Sequence, residues 1–495
     1  IRPTEVFPGF QPNYTQQQIN QQVLDIHYYP AERGPYNFDA NSLDPAATDR
    51  IGLLNPRSNF GLMMRRMETT NWDAANIAYI EFWMMDPFQS DDLNQLKEWD
   101  NGVPGSTNAN LLPDGGGDFL IQVGNMSEDI LRDGRMSYEN GLPTPQEDRP
   151  VIETAWGRIP LLQPINQNFD NDPANRALQD VGYDGLSDED EADFFNAFLN
   201  QAAGVLGGSA SLALLQNDPA GDNFRHYAGT GYNNDANIPG ENYIHNRYKN
   251  FLGPEGNSPA QNNTESFGQI PNSEDINVNY TLDQPESYYQ YSISLRPQDL
   301  DQIGENFISD ILETTASVPG PSGGTINKPV RWIQFRIPVQ TEMKEKFGNI
   351  NDFRSIRFMR MAMRNFPDDI FVRLATLQLV RADWRVFPGL IADVADIWQE
   401  GADFNSTTVN IEENTQKDPF PYVLPPGITR EIDPANPQLQ QLNEQALVLN
   451  ACDLKDGEGK AVFKNTELDL RAYKFLRMYA HLEGVEGYAL DSNDV

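Results

Sequence analysis

The chain has 495 residues, and at roughly 100–200 residues per domain this length predicts two to four domains. Acidic residues outnumber basic residues 72 to 36, which gives a net charge of −36 and a pI near 4.3. This charge argues strongly against a nucleic-acid partner, because phosphate binding needs basic groups that displace counterions. The acidic excess indicates either solubility through self-repulsion or cation binding, and composition alone leaves both open.

Two further features limit the class of protein. No apolar run approaches the roughly 18–20 residues that a membrane-spanning helix needs. Cys452 is the only cysteine, so no disulfide forms within the chain. The sequence begins Ile1-Arg2-Pro3 without a signal peptide and stops at Asp494-Val495, so we expect an internal segment of a longer protein.

The N-terminal third contains the first strand patterns. Residues 1–60 are rich in Pro, Gln and Tyr, which predicts an extended N-terminal segment. Ile77–Met85 is β-branched and aromatic on both faces, and Asp118–Gly124 follows three glycines, so both are predicted strands. Strand patterns resume at Arg331–Val339, Ser355–Met363 and Asp369–Val380.

The order of these strands resembles the galactose-binding-like jelly roll of many carbohydrate-binding modules. We therefore expect a mainly β fold, with a jelly-roll sandwich over residues 61–390. A long insertion at about 140–325 interrupts it, and we expect that insertion to be helical in part and otherwise loop. Its helix is predicted between Asp193 and Leu215, where several phenylalanines share one face.

The C-terminal part is predicted to open a second sandwich. Residues 391–445 form a Pro-rich linker, and 446–495 are expected to start a second jelly-roll domain. The reason is that Leu468–His481 repeats the pattern of Trp72–Trp83, a polar lead-in followed by an apolar strand.

The sharpest local motif is an acidic stretch from Asp180 to Glu191. It fits a twelve-residue calcium loop, with Gly185 as the turn glycine at position 6 and Gly182 in place of the usual acid at position 3. The alternative is an acidic N-terminal cap on the helix that follows. The predicted ligands are Asp180, Asp184, the Leu186 carbonyl, Asp188 and Glu191. Hard oxygen ligands at this spacing suit Ca²⁺.

Other clusters have a structural and a functional interpretation. Tyr288, Tyr289 and Tyr291, with Tyr227, Tyr232, Tyr243 and Tyr248, either stack on sugars or peptides or pack the fold. The arginines bind an acidic partner or pair with the chain's own carboxylates; they are Arg354, Arg357, Arg360 and Arg364.

Catalytic motifs are lacking from the sequence, so we expect no enzyme. The histidines have no metal-ligand spacing; they are His27, His226, His245 and His481. The sequence contains neither a G-x-S-x-G motif nor a P-loop.

Several stretches in fixed order resemble the SprA/Sov family, the large outer-membrane translocon of the type 9 secretion system that is also linked to gliding motility. These stretches are Glu32–Asn37, Met67–Asn71 with Ile80–Trp83, Gln179–Gly185, Tyr422–Gly427 and Cys452–Gly457. They are spread over nearly the whole chain, which makes the set more specific than any single short motif.

The resemblance implies a large transmembrane β-barrel with soluble inserts, of which this segment is one. It implies an outer-membrane location, with the segment facing the cell surface or the barrel lumen. It also implies three partners: a small barrel shuttle, a periplasmic plug and secreted cargo proteins. The alternative is a free-standing surface carbohydrate-binding protein on the same jelly roll, which glycan binding by the isolated segment would support.

Overall fold

The structure, a computed structural model, divides the chain into two compact units. The sandwich unit comprises residues 22–313 and 328–381, and the terminal unit comprises 1–21, 314–327 and 382–495. The structure describes residues 1–7, 20–47, 50–88, 115–131, 133–139, 150–161, 182–224, 248–249, 273–319, 325–381, 384–387, 403–412, 414–416, 421–430, 442–452, 459–464, 471, 473–475 and 477–484. Within these ranges no helix is long and apolar enough to cross a membrane.

The first sheet has five strands in the order β1-β12-β3-β9-β8. These strands are β1 (Val23–Tyr28), β12 (Ile370–Arg381), β3 (Ile77–Met85), β9 (Thr325–Pro338) and β8 (Ile308–Pro319). The pairs β1–β12, β12–β3 and β3–β9 are antiparallel. The sheet thus joins strands from both ends of the sandwich unit.

The second sheet has five strands in the order β10-β7-β4-β11-β2. They are β10 (Glu345–Phe347), β7 (Ser287–Leu295), β4 (Gly117–Asn125), β11 (Phe358–Arg364) and β2 (Phe60–Arg66). All four pairings between them are antiparallel.

One apolar core takes residues from both sheets. Phe82 of β3 stacks on Phe335 of β9 at 5.2 Å between ring centroids and meets Phe119 of β4 edge-on at 6.2 Å. Burial of such surface is the main driving force for folding. The mainly β, sandwich-like architecture is confirmed, whereas the jelly-roll topology stays a prediction.

Both faces of strand β3 are buried, which explains why its sequence does not alternate between apolar and polar residues. Trp83 and Glu81 point away from Ile80 and Phe82, yet all four are buried. Glu81 lies opposite Arg336 of β9, and their side chains form an ion pair of 3.0 Å. A second pair at the strand end joins Asp86 to Arg331 at 2.9 Å. The two carboxylates are therefore buried with a cationic partner.

The strand predictions based on strong periodicity are confirmed at β3, β4, β9, β11 and β12. Two other expectations need correction. The segment 1–60 contributes β1 to the first sheet, and the stretch expected as helix and loop contributes β7 and β8. β7 alternates, because Tyr289, Tyr291 and Ile293 all face the core. This alternation is a strand pattern that lies within the predicted insertion.

The predicted helix between Asp193 and Leu215 is three short helices. They are α3 (Asp188–Phe194), α4 (Asn196–Leu206) and α5 (Ala210–Asn217), preceded by a β-hairpin of β5 (Val151–Thr154) and β6 (Gly157–Pro160). Shorter helices lie at α1 (Pro3–Val6) and α2 (Trp72–Ala75). We call residues 182–224 the helical lobe, and its apolar side chains form a second core with residues 36–53.

The terminal unit contains two small antiparallel sheets. β14 (Asp403–Asn410) pairs with β15 (Gln445–Cys452), and β13 (Arg385–Val386) pairs with β16 (Val462–Phe463). The predicted linker therefore contains a strand. The residues described between 471 and 484 form no strand, unlike the expectation for Leu468–His481, while residues 465–470, 472 and 476 lie outside the described part.

Truncation of Phe82 tests the sandwich core. Phe82→Ala leaves a cavity between the sheets and is expected to lower the free energy of unfolding by about 3–5 kcal/mol. The control is Phe60→Ala, because Phe60 on edge strand β2 is 63% exposed and its loss should cost less than about 0.5 kcal/mol. Urea unfolding followed by tryptophan fluorescence measures both, and equal midpoints would contradict this core.

Candidate metal centre

Three carboxylates meet inside the helical lobe. One carboxylate oxygen from each of Asp184, Glu191 and Asp222 lies within 4.8 Å of the others. These residues are 0%, 1% and 2% exposed, respectively. Buried carboxylates at this separation repel one another, so their arrangement needs compensation by positive charge or by hydrogen-bond donors.

The local sequence positions the first two of these side chains. Ser187 caps helix α3, with its Oγ accepting a hydrogen bond from the Asp190 amide. Glu191 lies one helical turn after the cap. Gly185 has a φ of 71°, so the chain turns there, two residues before the cap. Asp184 and Glu191 are buried, so they are not solvated cap residues. The exposed Glu189 and Asp190 lie in the first turn of α3, as the acidic-cap alternative expects.

The third carboxylate comes from a distant segment, and Gly182 explains its position. A Cβ atom on Gly182 would lie 1.8 Å from Oδ2 of Asp222. Position 3 of the calcium loop, where an acid is usual, is thus occupied in space by the Asp222 carboxylate. A side chain at position 182 would therefore displace the Asp222 carboxylate.

Tyr36 fixes Asp222 against the loop. Its hydroxyl donates to Asp222 Oδ2 at 2.8 Å and accepts from the Tyr183 amide at 2.7 Å. All three residues are buried, so this bridge has little competition from water. Tyr36 belongs to the stretch Glu32–Asn37 and Tyr183 to the stretch Gln179–Gly185, both of which resemble the SprA/Sov family. The hydrogen bond between Tyr36 and Tyr183 therefore links these two stretches.

Backbone amides hold the other two carboxylates. Glu191 Oε2 accepts from the Ala220 amide at 2.8 Å, and Asp184 Oδ1 accepts from the Leu186 amide at 3.1 Å. The backbone carbonyl of Asp184 accepts from the Arg158 amide at 2.6 Å, which ties the loop to the β5–β6 hairpin. The carboxylates are therefore oriented by the fold before any ligand arrives.

Arg33 provides positive charge beside the group. Its guanidinium donates to the carbonyls of Asn37 and Pro219 at 2.8 and 2.6 Å. Burial lowers the pKa of Arg33 to about 10, against the opposing effect of the charges on Asp218, Glu191 and Asp222. The Arg33 guanidinium therefore lies within electrostatic reach of Glu191 and Asp222 and offsets part of their negative charge.

The structure tests the predicted loop residue by residue. Asp184 and Glu191 meet as expected, but Asp180 and the side chain of Asp188 lie outside the described residues. The Leu186 side chain packs in the second core, and its carbonyl stays a predicted ligand. Asp222 was missed because it is distant in sequence, although the Asp218–Asp222 turn pattern marks a structured loop there.

The other sequence clusters have structural roles where they are described. Tyr289 and Tyr291 are core residues, and Tyr288 stacks on Phe347 at 4.9 Å, so the packing interpretation is confirmed for these three. Tyr248 is described, but Tyr227, Tyr232 and Tyr243 lie outside the described residues. Each arginine of the series pairs with the chain's own acids; the pairs are Arg354–Asp73, Arg357–Asp283, Arg360–Glu286 and Arg364–Asp118.

Comparison with known proteins gives the family. The family model SprA_N, described as a motility related/secretion protein, matches residues 197–494, which is more than half of the chain. The chain belongs to this family. The match begins in helix α4 and includes Asp222 of the candidate metal centre. A search of curated proteins found no match. The resemblance to the SprA/Sov family is thereby confirmed.

Substitution of Gly182 tests the close approach of Asp222. Gly182→Ala is expected to push Asp222 out of place and to destabilise the protein by about 1–3 kcal/mol, because the lobe is packed. The matched control is Gly204→Ala, since a Cβ on this exposed glycine of α4 meets open space and should stabilise the helix by up to about 1 kcal/mol. Thermal unfolding measures both, and a neutral Gly182→Ala would contradict the geometry.

Proposed function

We propose that this chain is a structural and gating insert of an outer-membrane protein-export translocon of the type 9 secretion system. The observation that carries the proposal is the family match, which establishes a motility and secretion protein. The architecture agrees with such a role, because a rigid two-sheet sandwich with a separate buried lobe suits a scaffold that cargo passes. We assign the insert no catalytic activity.

The proposed partners are other outer-membrane components of this system and the secreted cargo. The insert faces the cell surface or the barrel lumen. The chain has a net charge of −36. Its arginines at 354, 357, 360 and 364 form ion pairs with acidic residues of the same chain. A surface of one sign lowers non-specific adhesion of similarly charged protein. We propose that this surface keeps cargo from sticking during export.

We also propose Ca²⁺ as the ion of the metal centre. Asp184, Glu191 and Asp222 offer only oxygen ligands, and Ca²⁺ accepts carboxylates, carbonyls and water in a flexible shell of six to eight ligands. The bound ion would hold the loop at 182–187, helix α3 and the turn at 218–222 together. Its role is structural, since it stabilises the lobe.

Calcium titration tests this ion. The parent chain is expected to release or absorb heat on Ca²⁺ addition and to melt at a lower temperature after chelation, because an ion bound only to the folded state stabilises that state. Asp222→Asn should weaken Ca²⁺ affinity by more than about tenfold, since ligand charge sets affinity. Asp352→Asn, at a half-exposed position outside the lobe, should leave it unchanged. Equal affinities for both variants would refute the site.

Purification of the full-length protein from membranes tests the location. We expect it to fractionate with the outer membrane and to recover other secretion components and bound cargo. Recovery only in a soluble fraction, without those components, would contradict the proposed role.

Charge reversal tests the proposed passage surface. Glu68, Glu313 and Glu342 are exposed, and their joint replacement by Lys in the full-length protein should slow export because cargo is retained. The matched control replaces the same three residues by Asp, which keeps every charge. Measured cargo release that is equal in the two variants would count against the repulsion mechanism.

A further inference from the structure

Strand β2 is an edge strand of the second sheet with an open side. It pairs with β11 along its whole length of seven residues, and the register has no bulge. Every second residue of an edge strand directs its backbone N–H and C=O groups away from the sheet. Within the described ranges, no backbone hydrogen bond joins the open side of Phe60–Arg66 to another segment. The strand therefore presents a row of unused backbone donors and acceptors.

The opposite edge of the same sheet is protected against pairing. β10 has three residues, and its Glu345 and Lys346 are exposed. Short, charged edge strands resist pairing with other chains. β2 is longer and contains neither proline nor lysine, and its charges are confined to its last two residues. The second sheet thus has one blunted edge and one edge that can accept a further strand.

Apolar side chains are exposed along this open edge. Phe60 is 63% exposed and Leu62 is 55% exposed. They lie opposite Arg364 and Ala362 of β11, whereas Met363 between those two positions faces the core. Phe60 and Leu62 therefore lie side by side on the face of the sheet that points away from the core. Neighbouring exposed apolar side chains beside an unpaired strand edge are typical of an interaction site.

Two arginines at the end of β2 supply charge. Arg65 and Arg66 are exposed, and neither forms an ion pair among the residues that the structure describes. The Arg66 guanidinium donates to the carbonyl of Asn277 at 3.5 Å, which is a long and weak hydrogen bond. Arg360 and Arg364 of neighbouring β11, in contrast, both pair with carboxylates of this chain. Because acids outnumber bases 72 to 36, two adjacent arginines without a carboxylate indicate that their partner is another molecule.

The open edge is held in place by contacts on its other sides. The Met67 amide, directly after β2, donates to the Arg357 carbonyl at 2.7 Å. On the core side, a Cβ atom on Gly61 would lie 3.0 Å from Cδ2 of Tyr28, so the ring of Tyr28 packs closely on the strand. A strand that is already ordered loses little conformational entropy when it binds a partner.

We propose that β2 binds an extended segment of a partner protein, with alternating apolar residues and with carboxylates at the end beside Arg65 and Arg66. The backbone groups of β2 supply affinity, and Phe60 and Leu62 contact every second side chain of the segment. The arginines select its acidic end, because ionised donors and acceptors form the stronger hydrogen bonds. All pairings of this sheet are antiparallel, and antiparallel addition places the N-terminal end of the segment beside Arg66.

A second copy of this chain suits the edge less well than an acidic segment. Each copy has a net charge of −36, so two copies repel one another. Pairing of β2 with itself would also leave Arg65 and Arg66 without a carboxylate from the facing strand, because β2 contains no acid. The charges at the edge therefore favour a different protein as the partner.

Peptide binding to the whole chain tests this edge. The probe is a fluorescent peptide, as long as β2, that alternates valine and threonine and begins with two glutamates. Fluorescence anisotropy should show saturable binding that weakens with added salt. Arg66→Glu should weaken it by at least about fivefold, and Leu62→Lys should weaken it too, since lysine blunts a strand edge. The matched control is Arg381→Glu, an exposed arginine at the end of β12, which should leave binding unchanged.

Hydrogen exchange of backbone amides identifies the mode of binding. The bound peptide should slow exchange of amides within Phe60–Arg66, and urea unfolding checks that Leu62→Lys is folded. Binding that leaves these amides unprotected, or that is unchanged by Leu62→Lys, would overturn the proposal. Equal binding of a peptide with lysines in place of the glutamates would overturn the acidic partner. Sedimentation of the free chain tests the second copy, and a dimer that protects the same amides would also refute the assignment.

Discussion

The energy of removing carboxylates from water is the constraint on which this structure depends. The chain carries 72 acidic residues against 36 basic ones, and it still buries several acids completely. A buried charge is tolerated only beside an opposite charge or several donors. In the first sheet, β9 supplies this compensation, because Arg336 pairs with Glu81 of β3 and Arg331 pairs with Asp86, the residue after β3. In the helical lobe the same demand is met by Tyr36, backbone amides and Arg33.

These compensated acids divide the sandwich unit into regions with different chemistry. The space between the sheets is apolar and contains stacked aromatic rings. The helical lobe contains the second apolar core and, in addition, the three buried carboxylates of Asp184, Glu191 and Asp222. The sandwich core is stabilised by burial of apolar surface, whereas the lobe also has to compensate three buried carboxylates.

Sequence reasoning worked where the pattern is local and strong. Ile77–Met85 and Asp369–Val380 are strands with clear composition, and the acidic loop near Asp184 is marked by its spacing. It failed where tertiary contacts decide. Asp222 is distant in sequence from Gly182, yet its carboxylate lies where a side chain of residue 182 would lie, and no local spacing encodes that approach. Strand β7 follows a stretch rich in Asn, Gly and Pro, a composition that predicts loop, although the strand itself alternates regularly.

The pairing of edge strand β1 with β12 in the first sheet has a consequence for how the chain folds. β1 pairs with β12, and Val23 lies opposite Ala375. Contacts between residues so far apart in sequence form slowly, since a long loop must close before they contribute. The first sheet cannot be completed until Arg381 has been synthesised. Until then the edge of β3 that pairs with β12 has no partner strand, and such an unpaired edge is prone to pairing with another chain.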